Sequence, residues 1–166
     1  KIPGVPRGTW VSSITSSQHA RGRAYVTFDG HRSGDFATYL FRTDDYGATW
    51  TPLATEGIDS YAWVIKEDIV SPNVLFAGTE LGLYISLDGG QGWARFAGGL
   101  PKVAVHDLVI QPRDDDLVIA THGRGIYILD DLSPLRALSA DVLAHEVALL
   151  PARAAEMTIP SAAQEF

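Results

Sequence analysis

Hydrophobic positions along this 166-residue chain fall in short runs punctuated by turn residues. In the centre, Trp63–Asp68, Val74–Thr79, Leu83–Ser86 and Trp93–Phe96 read as four strands. They are separated by Ser-Pro-Asn at 71–73, Glu-Leu-Gly at 80–82 and Asp-Gly-Gly at 88–90. Upstream, Trp10–Thr15, Ala24–Phe28, Tyr39–Arg42 and Thr49–Leu53 form a second such set. Downstream, Val105–Ile110, Leu117–Thr121 and Gly125–Leu129 form a third, shorter one. After Asp131 the pattern changes. Ser133 is placed to cap a short helix with Pro134 in its first turn. Glu146–Leu150 reads as a final strand, and residues 151–166 as an Ala-rich tail or linker.

The sets are copies of one unit. Thr43-Asp44-Asp45-Tyr46-Gly47-Ala48-Thr49-Trp50 is echoed by Ser86-Leu87-Asp88-Gly89-Gly90-Gln91-Gly92-Trp93, an offset of 43 residues from Thr43 to Ser86. Gly82 and Tyr84 map to Gly125 and Tyr127 at the same offset, and Asp88 maps to Asp131. A period of about 40–45 residues is that of a four-stranded propeller blade. The expected fold is therefore all-β: about three antiparallel blades over residues 8–55, 61–98 and 103–131. A partial propeller would occupy residues 1–132, followed by the short helix and possible closing strand over 133–150.

The repeated box has a mechanical reading. A hydroxyl (Thr43, Ser86) and a carboxylate (Asp45, Asp88) at a tight turn exchange hydrogen bonds with the turn backbone. Gly47 and Gly90 make positive φ inexpensive. Trp50 and Trp93 begin the next strand and offer a large ring for burial between sheets. These residue types explain a structural staple without assigning catalysis to either Asp.

Ser/Thr-x-Asp-x-Gly-x-x-Trp resembles the Asp-box, or bacterial neuraminidase repeat, of sialidase-type propellers. The chain further resembles the last blades of bacterial sortilin-like, glycosyl-hydrolase-like propellers. That likeness rests on Tyr25-Val26-Thr27-Phe28-Asp29-Gly30-His31-Arg32-Ser33, Ala77-Gly78-Thr79-Glu80 and Thr121-His122-Gly123-Arg124-Gly125-Ile126-Tyr127-Ile128-Leu129-Asp130-Asp131. The resemblance implies structural boxes, a larger propeller and an exported protein, extracellular or periplasmic. The third repeat departs from the box, because Asp131 is followed by Leu-Ser-Pro, as suits a terminal unit.

Charge narrows the partners. The net charge is −7, which argues against a general nucleic-acid surface. It is uneven: residues 1–42 hold six Lys/Arg against two Asp, and residues 43–166 hold seven against eighteen acidic groups. No apolar run approaches a membrane span. Cysteine is absent, removing a disulfide frame, Cys-ligated zinc and a thiol nucleophile. The chain has no phosphate loop, nucleophile elbow, H-E-x-x-H pair or dinucleotide fingerprint, so no cofactor and no metal are expected. It begins at Lys1 without a signal segment, so it reads as processed or as part of something longer.

In a meander, successive turns alternate between the two ends of the sheet. The boxes share one face with the turns near 16–23, 69–73 and 112–116. The opposite face carries Asp29–Thr38, Glu80–Gly82 and His122–Arg124, with the links near 54–62 and 97–104. On it, Asp29, His31, Arg32, Asp35, His122 and Arg124 are the candidate binding residues, suited to a carbohydrate or anionic ligand. An alternative is that Asp29 or Asp35 clamps Arg32 and only orders the loop. His106 and Asp107 begin an inner strand but point to opposite faces. Asp114-Asp115-Asp116 lacks the ligand spacing of a calcium loop and reads as a solvated turn. His19 and His145 have no partner pattern.

The reading is a non-catalytic propeller module, a scaffold or a protein- or glycan-binding surface. About three blades fall short of the usual four to eight, and bare sheet edges are a hazard. Partners are therefore expected to be the chain itself or the remaining blades of a longer chain, with a protein or carbohydrate as ligand. A peptide- or sugar-binding receptor piece and a fragment of a sialidase-like or xyloglucanase-like glycoside hydrolase are the competing readings. The hydrolase needs paired carboxylates that sequence spacing cannot supply.

Overall fold

The computed structural model describes residues 2–154, apart from the side chain of Ala140. Among these the order is β1 (Trp10–Ser16), β2 (Ala24–Gly30), β3 (Asp35–Thr43), β4 (Thr51–Pro52), β5 (Ala62–Glu67), β6 (Leu75–Thr79), β7 (Gly82–Ser86), β8 (Ala94–Arg95), β9 (Val105–Gln111), β10 (Asp116–Thr121), β11 (Ile126–Leu129), α1 (Ser133–Ala137) and α2 (Ala140–Ala144). The strands form three antiparallel meanders: β1-β2-β3-β4, β5-β6-β7-β8 and β9-β10-β11.

The sheets pack face to face. Tyr25, Leu40, Ile65, Leu75 and Tyr84 fill the space between the first and second. Phe76, Leu83, Val105, Leu108, Leu117 and Ile119 belong to the core between the second and third. Full burial of each such side chain contributes about 1.5–3 kcal/mol before the entropy cost. Polar contacts add direction to the first interface. The Ser12 and Thr15 hydroxyls of β1 donate to the Ala62 and Ile65 carbonyls of β5 at 3.0 and 3.1 Å. Glu67, 5% exposed, accepts from the Ser17 hydroxyl at 2.6 Å and the Tyr25 phenol at 2.8 Å.

The repeated turns match their expected mechanics. Thr43 Oγ1 donates to Asp45 Oδ1 at 2.7 Å and accepts from the Gly47 N–H at 2.9 Å. Ser86 Oγ repeats both bonds, with Asp88 Oδ1 at 2.7 Å and the Gly90 N–H at 2.9 Å. Gly47 and Gly90 have φ of 88° and 91°. Trp93 donates from Nε1 to the Ala54 carbonyl at 2.8 Å and packs against the core between the first two sheets. Trp50 instead packs on the outer face of the first sheet, with Ile2 and Val5. Both turns lie beside the first-to-second-strand turns of their sheets: Tyr46 N–H donates to the Gly22 carbonyl, and Gly89 N–H to that of Asn73.

The Asp45 carboxyl is held down to about 2 by the Thr49 hydroxyl, the Thr49 N–H and the Thr43 hydroxyl. A depressed folded-state value stabilises above the unfolded value of 3.8 and is lost as pH falls through the folded one. Stability is therefore expected to decline between about pH 4 and pH 2. Asp45→Asn should be less stable near neutral pH and show a shallower acid decline in denaturant titrations. Parallel acid curves for the two proteins would contradict this.

Several expectations change. The polar loop across Asp29–Thr38 is mostly ladder: β2 continues to Gly30, which pairs with Asp35, and only His31–Ser33 form a 3-10 turn closed by Gly34 at φ 76°. Leu132, not Ser133, is the N-cap of α1, and Asp131 Oδ1 accepts the Ser133 N–H at 3.0 Å. Residues 146–150 form no strand. Ser139 caps α2 instead, with Oγ accepting the Val142 N–H at 3.1 Å, and the segment beyond finds no ladder partner, leaving Val147 and Leu149 exposed. The aspartates at 114–116 do more than meet water: Asp114 pairs with Arg113, Asp115 with Arg136 and Asp116 with Arg153. His19 Nε2 meets the Asp68 carbonyl at 2.8 Å, and His145 Nδ1 that of Asp141 at 2.7 Å. Residues 155–166, most of the expected tail, lie outside the described residues.

Candidate functional site

The face opposite the repeated turns is organised by an irregularity common to all three sheets. In the first, Val11 pairs with Phe28 but Ser13 with Thr27, so Ser12 is an extra residue. In the second, Ala62 pairs with Thr79 and Val64 with Gly78, so Trp63 is extra. In the third, Val105 pairs with Thr121 and Asp107 with Ala120, so His106 is extra. A β-bulge of this kind frees one residue from the ladder and re-aims its side chain. The three bulges sit near the start of each sheet's first strand and bring Ser12, Trp63 and His106 to the same end of the structure.

Rings continue outward from Trp63. His106 lies against it with centroids 4.2 Å apart, and His122 lies 5.0 Å beyond His106. On the other side, Tyr61 and His31 stand 5.4 and 5.7 Å from Trp63, and His31 stacks on Tyr61 at 5.0 Å. Phe36 follows Tyr61 at 6.2 Å and is 64% exposed. Next to this row, the Arg32 guanidinium sits 5.5 Å above the exposed Trp10 ring. Trp10, Ser12, Asp29, Arg32 and Trp63 line a cleft of about 160 Å³.

Three carboxylates of this face are engaged inside the protein. Asp29, 7% exposed, takes the His31 N–H at 2.9 Å and lies 2.6 Å from His31 Nδ1. Asp35 accepts from the Tyr39 phenol at 2.7 Å and the Ala37 N–H at 3.1 Å. Neither clamps Arg32, because each has nearer donors on its own turn. Glu80 accepts from Trp63 Nε1 at 2.9 Å. Burial and the Glu80 charge push the Tyr61 phenol up to about 12. Burial and the neighbouring His122 lower the His106 imidazole, despite Glu80. His106, His122 and Arg124 are exposed, and Arg124 pairs with no carboxylate among the described residues.

The structure thus brings Asp29, His31 and Arg32 together in the first sheet and His122 against His106 in the third. Asp35 is turned into its own hairpin. Tyr61 and Trp63, which join the two groups, carried no motif in the sequence. Their one signal is the Tyr-Ala-Trp spacing, which sends alternate side chains to one side of an extended chain. His106 and Asp107 do not pair: Asp107 Oδ1 accepts the N–H of Leu108 at 2.8 Å. Among the described residues, no group of three His, Asp or Glu is placed to hold a metal ion.

This architecture has relatives among solved structures. A GH74 enzyme from Niastella koreensis superposes with a TM-score of 0.62 and 18% identity, covering 73% of this chain and 21% of that one. An ancestral GH74 enzyme gives 0.57 and 15%, covering 69% and 14%. YCF48 bound to D1 peptide gives 0.51 and 14%, covering 74% and 36%. The three sheets are β-propeller blades. Identities this low establish the fold alone, and the chain spans at most about a fifth of either GH74 chain. No family model and no curated protein matches the sequence.

Proposed function

We propose that the chain is a non-catalytic Asp-box propeller module of sortilin-like, glycosyl-hydrolase-like kind, serving as a binding surface or scaffold outside the cytoplasm. One observation carries the reading. The carboxylates Asp29, Asp35 and Glu80 hold internal hydrogen bonds, while Arg32, Phe36, His106, His122 and Arg124 on the same face are exposed. A hydrolytic acid–base pair needs two carboxylates facing a common space; a recognition surface has no such requirement. YCF48, whose structure holds a D1 peptide, offers a binding precedent on this fold, whereas the GH74 neighbours keep a glycoside hydrolase fragment as the second reading.

The module also reads as unfinished at its sides. Val109 and Ile128 flank Val118 across the third sheet and are 52% and 59% exposed. Val11 and Ile14 of the first sheet are 54% and 67% exposed. We assign these faces to further blades, from a second copy or a longer polypeptide, with the basic first blade facing an acidic neighbour. Light scattering of this chain is expected to give a mass of a dimer or larger. A stable monomer of 17.9 kDa would overturn closure by self-association. Turnover of sialosides or β-glucans, lost on Asp29→Asn or Glu80→Gln, would overturn the non-catalytic reading.

A further inference from the structure

We propose that the outer edge of β11 is the docking place of this chain's own residues 155–157, which supply the third blade with the fourth strand that the other two possess. This docking is independent of what the bulge-built face binds.

The third sheet ends one strand early. In the first sheet Arg42 of β3 pairs with Thr51 of β4, and the Leu53 N–H donates to the Leu40 carbonyl at 2.9 Å. In the second, Ile85 of β7 pairs with Ala94 of β8, and the Phe96 N–H donates to the Leu83 carbonyl at 2.8 Å. The 43-residue offset puts Ile126 and Ile128 of β11 at the positions of Leu83 and Ile85. β11 pairs with β10, and no strand among the described residues lies on its other side. Ile126 and Ile128 are 69% and 59% exposed. Such an edge offers unpaired N–H and C=O groups to another strand.

The approach to that edge is already built. In the complete blades the turn aspartate accepts the N–H of a residue four places on. Asp45 Oδ1 takes that of Thr49 at 2.8 Å, and Asp88 Oδ1 that of Gly92 at 2.9 Å. Each fourth strand begins two residues later, at Thr51 and Ala94. Asp131 holds the same place in the third repeat, and its Oδ2 accepts the N–H of Arg153, twenty-two places on, at 2.6 Å. The turn is thus split, with α1 and α2 inserted between its halves. Arg136 of α1 pairs with Asp115, and Arg153 Nη1 donates to the Asp114 carbonyl at 3.1 Å, so the insertion and its return are both pinned to the third blade.

Two residues beyond Arg153, as beyond Thr49 and Gly92, the count reaches Ala155. Ala155-Glu156-Met157 then answers to Thr51-Pro52-Leu53 and Ala94-Arg95-Phe96, with a large apolar residue in third place each time. In that register Ala155 is opposite Ile128, and the Met157 N–H is aimed at the Ile126 carbonyl. A strand from a second copy would have to compete with a segment tethered beside the edge, whose effective concentration is on the order of millimolar.

Methyl NMR of the intact chain tests the docking, because Met157 is its single methionine. An NOE between the Met157 methyl and the Ile126 side chain is expected. In a mixture of labelled and unlabelled chains it should stay within one chain. Two neighbouring prolines should act differently. Met157→Pro removes the N–H aimed at Ile126 and should speed exchange of the Ile128 amide about tenfold, the scale of one backbone hydrogen bond. Glu156→Pro falls at the place that Pro52 holds in the first blade and should leave that exchange unchanged. The Ile119 amide of β10 should exchange alike in all three proteins, showing that the sheet is intact.

Absence of the NOE in the unmodified chain would overturn the docking. Equal acceleration by the two prolines would overturn the register. An NOE found only between chains would make a second copy the occupant and overturn docking of the chain's own segment.

Discussion

Arg136→Met is expected to destabilise the protein by about 3 kcal/mol, the scale of leaving one buried charge without its partner. Arg136 lies on α1, yet its guanidinium reaches the second blade. Its Nε and Nη2 donate to Asp68 Oδ2 and Oδ1, each at 2.9 Å, while Nη1 meets Asp115 of the third blade at 2.9 Å. The Asp68 side chain is fully buried and that of Arg136 is 11% exposed. Asp68 keeps two backbone donors, Val70 N–H at 3.0 Å and Ser71 N–H at 2.7 Å, which places the cost at the lower end of the range for such pairs. In a chain of this length the midpoint of thermal unfolding should fall by roughly 6–12 °C. Adding Asp68→Asn to Arg136→Met should recover part of the loss, since a neutral amide needs no counter-charge. A cost under about 1 kcal/mol in chemical denaturation would show that the clasp between blades contributes nothing beyond surface pairing.

Gly78→Val should cost a similar amount for the opposite reason, about 2–3 kcal/mol through overpacking. Gly78 lies in β6 where β9 of the next blade crosses closest. A Cβ there would stand 2.7 Å from the Val105 carbonyl oxygen and 2.7 Å from Val64 Cγ1. A side-chain methyl could rotate away, but the carbonyl belongs to the third blade's ladder and moves only with it. The strain must therefore open the interface around Phe76, Leu108 and Leu117. Gly78→Ala should already show about half the effect by the same measurement. If alanine is neutral, the two blades are not as closely apposed as described.

These two positions show how far the sequence could be read. The blades were legible because each needs only local signals: a short apolar run, a turn cluster and a repeat of the hydroxyl–Asp–Gly–Trp spacing. The strands fall within a few residues of where those signals place them. Contacts between blades were not legible. Nothing near Asp68 announces an arginine on α1, and Gly78 looks like any glycine until β9 is laid against it.

The candidate site divides in the same way. His31, Arg32, His122 and Arg124 stand in turns, where polar residues draw notice. Tyr61 and Trp63 resemble core residues, and only pairing to β6 reveals that Trp63 has been displaced from the ladder. Even the Ser- and Thr-rich run of β1 has a reason that sequence hides: its hydroxyls reach the carbonyls of β5.

The recurring bulge carries a further consequence. A residue inside a ladder answers to its cross-strand neighbours, so changing it disturbs the sheet. Positions 12, 63 and 106 are released from that obligation, one in each blade. The fold therefore holds three positions outside its ladders, now serine, tryptophan and histidine, of which Ser12 still ties β1 to the Ala62 carbonyl and Trp63 still holds Glu80, while His106 carries neither duty. Exchanging His106 would rewrite what the surface displays there while the β-ladders stay as they are.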